Sequence, residues 1–227
     1  MLIVQNCQAE SPGTILSYFD ENQLPHRLVH SYRHESLPEV DEIETLINLG
    51  CPHPANDYPR HDFLKRLFDL TVQAVSRGVP YLGICFGGQM LALALGAGVS
   101  RNKVREIGVG TVRLTETGSA NPLFAGFGPE FPVFQWHADT FGLPTGASLL
   151  AVGDNCRNQA FRKGRAVALQ FHLEAAPTEI PVWCNVYRQE LSEEQLQKKT
   201  IVAEYDAIFK TVERLNHRLL DNFFALS

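Results

Sequence analysis

The sequence has no run of like charge, and no apolar stretch approaches the roughly 20 residues that span a bilayer; the longest candidates are broken by polar residues or glycine. With 20 Lys and Arg against 25 Asp and Glu, the formal net charge is -5. Nucleic acid and anionic membrane surfaces therefore find no footing, and neither is expected as a partner. The opening MLIVQNCQAESPG has no basic leader and no signal-length apolar core, which points to a cytoplasmic protein. The five cysteines (Cys7, Cys51, Cys85, Cys156 and Cys184) are odd in number and scattered, which excludes a disulfide framework and suits a reducing compartment. Zinc needs close ligand pairs, and only Cys51 and His53 come near that spacing. One pair is too few, so no metal and no cofactor is expected. The phosphate-cradling pattern G-x-x-x-x-G-K-[ST] is missing as well, so the chain shows no means of activating an acceptor with ATP.

What is present reads as an ordinary globular protein. The 227 residues, 44% of them hydrophobic, suffice for one well-buried domain. That domain is expected to cover 1–227, with a core over about 1–190 and a helical extension over about 191–227. Short apolar runs alternate with helical periodicity. Leu2 to Val4, Arg27 to His30, Thr45 to Leu49 and Val79 to Ile84 read as strands. The stretch after Ser11-Pro12-Gly13 reads as a helix with Ser11 as its N-cap, and Asp62 to Arg77 as a second helix with Leu64, Leu67, Phe68, Thr71 and Val75 on one face. Gly88 to Leu95 reads as a third, closed by Gly96. This rhythm predicts an α/β fold with an open, mostly parallel sheet flanked by helices. Between about 105 and 171 the helical period vanishes. Short alternating runs (Gly110 to Leu114, Pro132 to Trp136, Leu149 to Val152, Arg165 to Gln170) predict a small added antiparallel portion. A stripe of Ile201, Tyr205, Ile208, Val212, Leu215 and Leu219 predicts a C-terminal helix packed on its own domain.

Two segments carry chemistry. Pro80-Tyr-Leu-Gly-Ile-Cys-Phe-Gly-Gly-Gln-Met90 places Cys85 between glycines at -2 and +2, where a strand ends and a helix begins. Such a tight turn exposes the sulfur at the carboxyl edge of the sheet and sets it at a helix N-terminus that favours thiolate. It also aims the Phe86 N–H at a developing oxyanion. Ala166-Val-Ala-Leu-Gln-Phe-His-Leu-Glu174 ends an apolar strand in a histidine and, two residues on, a carboxylate. Residues i and i+2 of an extended segment share a side, so Glu174 can orient His172 and His172 can serve as base to Cys85.

G-I-C-F-G-G-Q together with Q-F-H-L-E resembles the class I glutamine amidotransferases, the group with a Cys-His-Glu triad. The nearest likeness is to free-standing members similar to the amidotransferase part of GMP synthase, over roughly residues 1–190. The resemblance implies a flavodoxin-like sheet and hydrolysis of the glutamine side-chain amide through a γ-glutamyl thioester. It makes Cys85 the nucleophile, His172 the base and Glu174 its orienter, and it places Gln89 at the amino-acid end of the substrate. Gly50-Cys51-Pro52 stands where the family carries Gly-Gly-Pro, so the Cys51 N–H becomes the second oxyanion donor beside that of Phe86, with Gly50 next to the substrate. Leu173 stands where many members have proline. Phe134-Gln-Trp-His-Ala-Asp-Thr-Phe141 resembles the segment lining the glutamine pocket, which brings in His137 and the backbone of Ala138; His137 and Asp139 are equally well read as hydrogen-bonding loop residues.

The expected partners are glutamine or a γ-glutamyl small molecule, and a separate synthetase subunit that uses the ammonia; a homodimer stays open. The rival on the same triad is a free-standing γ-glutamyl peptidase or hydrolase. A non-catalytic or chaperone-like flavodoxin-like cysteine protein fits less well, because that group commonly carries histidine directly after the elbow cysteine, where this chain has Phe86.

Overall fold

The computed structural model describes residues 1–226. Its strands are β1 (Leu2–Gln5), β2 (Arg27–His30), β3 (Leu46–Asn48), β4 (Tyr81–Ile84), β5 (Val99–Leu114), β6 (Glu130–Phe141), β7 (Ser148–Val152), β8 (Ala160–Lys163) and β9 (Ala166–Leu169). The α-helices are α1 (Thr14–Glu21), α2 (Asp62–Ser76), α3 (Phe86–Ala94), α4 (Glu116–Ser119), α5 (Ile180–Val186), α6 (Arg188–Glu193) and α7 (Lys198–Ala225).

All nine strands form one mixed sheet in the order β2-β1-β3-β4-β9-β8-β7-β5-β6. The first five run parallel, and the last four join antiparallel. Strands β1, β3, β4 and β9 are buried along their whole length, and for β1, β3 and β4 this is why they read as continuous apolar runs. The run Arg165 to Gln170, expected in the antiparallel portion, instead forms β9 of the parallel core, pairing parallel with β4 and antiparallel only with β8. One core, against α1, α5 and α7, holds Ile3, Ile47, Leu82, Val167 and Phe171; the other, against α2 and α3, holds Val4, Leu46, Tyr81 and Phe161. The α7 stripe does pack inward: Ile201, Tyr205, Val212, Leu215 and Leu219 are buried, and Ile208 half-buried. No helix among the described residues is long and apolar enough to cross a membrane.

Several sequence expectations need correction. Ser11 does not cap α1; the cap residue is Gly13, at φ 51°, and the Ser11 hydroxyl instead donates to Glu179. Gly13 is obligatory there, because a Cβ would run into the Glu174 carbonyl as well as strain the backbone. The buried face of α2 is Leu64, Leu67, Leu70, Thr71 and Ala74, with Phe68 and Val75 at its margin. Helix α3 starts at Phe86, two residues before the glycines suggest. The antiparallel part is larger than expected. Strand β8 was not foreseen, and β5 and β6 make a hairpin running from Val99↔Phe141 to Arg113↔Glu130. Its register shifts between Arg101 and Glu106, and much of β5 is half-buried or exposed. A bulged strand with little buried face loses the alternation by which strands are recognised.

Candidate active site

Every candidate catalytic side chain sits at the carboxyl edge of the parallel strands, where open α/β sheets bind ligands. Cys85 follows β4 and caps α3 at φ 51° and ψ -109°, a conformation that costs a residue with a Cβ about 1–3 kcal/mol. Its neighbours permit the turn. A Cβ on Gly83 would strike the Gly87 carbonyl, and one on Gly87 would strike that of Asn48. Strand pairing then brings the second segment alongside. Ile84 is paired with Leu169, and the Cys85 N–H donates to the Leu169 carbonyl at 2.8 Å. The chain leaving β9 therefore runs past the sulfur.

His172 lies on that chain, 1% exposed, fixed by an antiparallel bridge to Phe134 and by the Trp183 ring 4.9 Å away. Its Nδ1 meets Glu174 Oε1 at 2.6 Å, both side chains being buried. Burial works against the imidazolium, but the Glu174 carboxylate and the Cys85 sulfur together hold His172 well above the usual histidine range. Burial pushes the Cys85 thiol up, opposed by its hydrogen bond with His172. The structure thus brings together the cysteine, histidine and glutamate that the two motifs singled out.

The model of the family described as glutamine amidotransferase class-I matches residues 29–182. The chain belongs to that family. It is 32% identical over 192 residues to the glutamine amidotransferase-like protein YfeJ of Salmonella typhimurium, covering 82% of this chain and 80% of that one. It is 39% identical over 102 residues to a GMP synthase of Thermomicrobium roseum, a match covering 44% of this chain but only 19% of that protein. Among solved structures, a glutamine amidotransferase from Thermotoga maritima superposes with a TM-score of 0.91 at 31% identity, over 98% of this chain and 96% of that one. One from Methylobacillus flagellatus gives 0.90 at 25% identity, over 100% and 94%. Membership makes this chain a cysteine-dependent glutamine amidotransferase, with the open, mostly parallel core sheet and antiparallel addition described above.

The other residues implied by the resemblance cluster around the same cleft, which Cys51, Cys85, Gln89, Trp136, His137, Ala138, Asp139 and Tyr187 line. Gln89 is buried, and its Nε2 donates to Asp139 O (3.2 Å) and Gln170 Oε1 (3.3 Å). The Phe86 N–H is directed at the sulfur of Cys85. Cys51 is not among the residues at positive φ, so the loop after β3 accepts its Cβ, and its thiol turns to the Asn6 carbonyl at 3.8 Å. Gly50 has no room for a side chain, since a Cβ there would overlap Glu10 Oε2. His137 pairs Nδ1 with the Asp139 carbonyl (3.0 Å), while Nε2 lies 2.9 Å from Glu106 Oε2 without a formed hydrogen bond, so in this arrangement it shapes the cleft wall. The donor atoms of Glu106, His137 and Cys156 lie within 4.8 Å of one another, but Cys156 Sγ is engaged with Thr140 Oγ1 at 3.1 Å. His53 packs on His61, ring centroids 4.5 Å apart.

Gln170 and Glu10, both close to Cys85, are among the site residues that the sequence does not single out. Gln170 Nε2 points at Cys85 Sγ, 3.8 Å away. It shares the i, i+2 alternation of His172 and Glu174, so the same argument could have found it. Glu10 lines the cleft beside Cys85. Its only signal is a carboxylate in the turn after β1, the edge where ligands collect.

Proposed function

We propose that this amidotransferase hydrolyses the side-chain amide of glutamine through a γ-glutamyl thioester on Cys85 and supplies the ammonia to a separate acceptor enzyme. The observation that carries this reading is the buried Nδ1–Oε1 contact of 2.6 Å between His172 and Glu174, beside a thiol held on a strained turn. With Nδ1 committed to Glu174, Nε2 takes the thiol proton as sulfur attacks the amide carbon. The backbone N–H groups of Phe86 and Cys51 take the charge that grows on oxygen. The C–N bond then breaks, the imidazolium gives its proton to nitrogen, and ammonia leaves. Water enters, loses a proton to Nε2, forms the new C–O bond and releases glutamate; the proton returns to sulfur. Gln89 Oε1 serves the α-ammonium of the substrate, and the walls at Gly50, His137 and Ala138 fix its length.

The test offers purified protein free glutamine and, separately, γ-glutamyl peptides and amines, and compares ammonia with amine release. Slow ammonia release from glutamine, accelerated by an acceptor enzyme, is the expected result. If peptides exceed glutamine about a hundredfold in kcat/KM, equivalent to about 2.7 kcal/mol of transition-state binding, the protein is a γ-glutamyl hydrolase instead.

A further inference from the structure

Among the ionisable groups of the cleft that the triad does not use, Glu10 is drawn furthest toward His172. Glu10 is folded inward and only 7% exposed. Tyr187 donates its hydroxyl to Oε1 at 2.7 Å. The other oxygen, Oε2, rests on Gly50 at the place a Cβ would occupy, and that same place is 3.4 Å from Cε1 of His172. Glu10 Oε2 and Cε1, the imidazole carbon that joins Nδ1 to Nε2, therefore border the same point beside Gly50. Since Glu174 holds Nδ1, every proton exchanged with sulfur, departing amine or incoming water must pass through Nε2, on the other side of that carbon.

We propose that Glu10 is a further catalytic residue: its carboxyl group accepts hydrogen bonds from the departing amine nitrogen, then from the water that replaces it, and holds each in reach of His172 Nε2. This rests on the thioester reading above and assigns a group to the departure of the amine and to the hydrolysis that follows. Three observations support it. The carboxyl and the His172 ring border the same point beside Gly50. Tyr187 fixes the carboxyl rotamer, so the acceptor is preorganised rather than mobile. Finally, the charge of Glu10 is coupled to both Cys85 and His172. Glu10 adds to the forces that raise the Cys85 thiol, and its own carboxyl is pushed up by burial and drawn back by His172. A carboxyl so placed is served best once the imidazolium and a departing amine are beside it.

The test uses Glu10→Gln, which keeps size and shape, with Tyr187→Phe as a second variant. Three quantities are read: alkylation of Cys85 by a chloroketone analogue of glutamine, glutamine turnover, and the partition of the thioester between water and added hydroxylamine. The alkylation displaces chloride, so no amine departs and no water enters. For Glu10→Gln, alkylation should stay within about twofold of wild type, turnover should fall about tenfold or more, and the product ratio should shift toward hydroxamate by about fivefold. Hydroxylamine, the stronger nucleophile, depends less on being held in place. Tyr187→Phe should move the last two quantities the same way, by less. Wild-type turnover and partition in Glu10→Gln would overturn the proposal. So would a fall in alkylation equal to the fall in turnover, since that marks a distorted site. If the wild type is neither alkylated nor active on glutamine or hydroxylamine, the thioester reading itself has failed.

Discussion

Phe134 and His172 exchange a pair of backbone hydrogen bonds, 2.8 Å and 3.1 Å, although His172 lies beyond the end of β9. This single antiparallel bridge ties His172 to β6, at the far edge of the sheet, while Cys85 follows β4 near its centre. The distance between them is thus set by two different parts of one sheet. The Trp183 ring closes the third side, and its Nε1–H donates to the Ala9 carbonyl at 2.7 Å. Trp183→Phe should leave that partly buried carbonyl without its donor, costing about 1 kcal/mol in chemical denaturation and lowering kcat more than it raises KM.

Cys85→Ala should abolish ammonia release and change the melting temperature little. Cys85→Gly should be equally inactive yet melt no lower than Cys85→Ala, because glycine adopts φ 51° without the Cβ penalty. Calorimetry of the pair checks this. A clearly less stable glycine variant would mean that the turn is not strained.

Gly87→Ala should be far more damaging than its size suggests. The new methyl would meet the Asn48 carbonyl, which belongs to the central strand β3 and has nowhere to go. A loss of about 1–3 kcal/mol is expected, together with loss of activity from displacement of the elbow. Denaturant unfolding read by fluorescence provides the measurement.

Glu174→Gln should lower kcat about 10- to 10⁴-fold with KM little changed, since the substrate does not touch it. The pH profile separates orientation from charge. In the wild type the rate should rise with pH along a limb that belongs to the Cys85–His172 pair. Glu174 is the group that holds the proton on His172 most strongly. Removing its charge lets that proton go more easily, so the limb should move to lower pH while the plateau falls. An unmoved limb would show that the carboxylate only orients the ring.

Glu10→Gln should make the protein more stable at high pH even as it slows turnover. The Glu10 carboxyl is raised in the folded state by burial, so the folded protein binds that proton more tightly than the unfolded chain. Its contribution to stability is present below the ordinary carboxylate range and is lost as pH rises through the elevated folded value. Thermal melts at acidic and at mildly alkaline pH should therefore show a growing advantage for the variant as pH increases.

The sequence by itself determined the parallel core and pointed to Cys85, His172 and Glu174 as one group. Leu2 to Val4, Thr45 to Leu49 and Val79 to Ile84 are legible because strands buried on both faces leave unbroken apolar runs. Cys85 is legible because an elbow needs small neighbours, and His172 and Glu174 because strand geometry puts i and i+2 on one side. Only the tertiary structure decided the rest. The true extent of β5 was hidden by its bulge and exposed faces. The capping role of Gly13 depends on a carbonyl 161 residues away, that of Glu174. Glu10 joins the site because β1, β3 and β9 end at the same edge, which places Gly50 between it and His172. Local patterning reports the forces within one segment. A cleft is made where segments distant in sequence meet, and their meeting is fixed by strand order, which no single segment encodes.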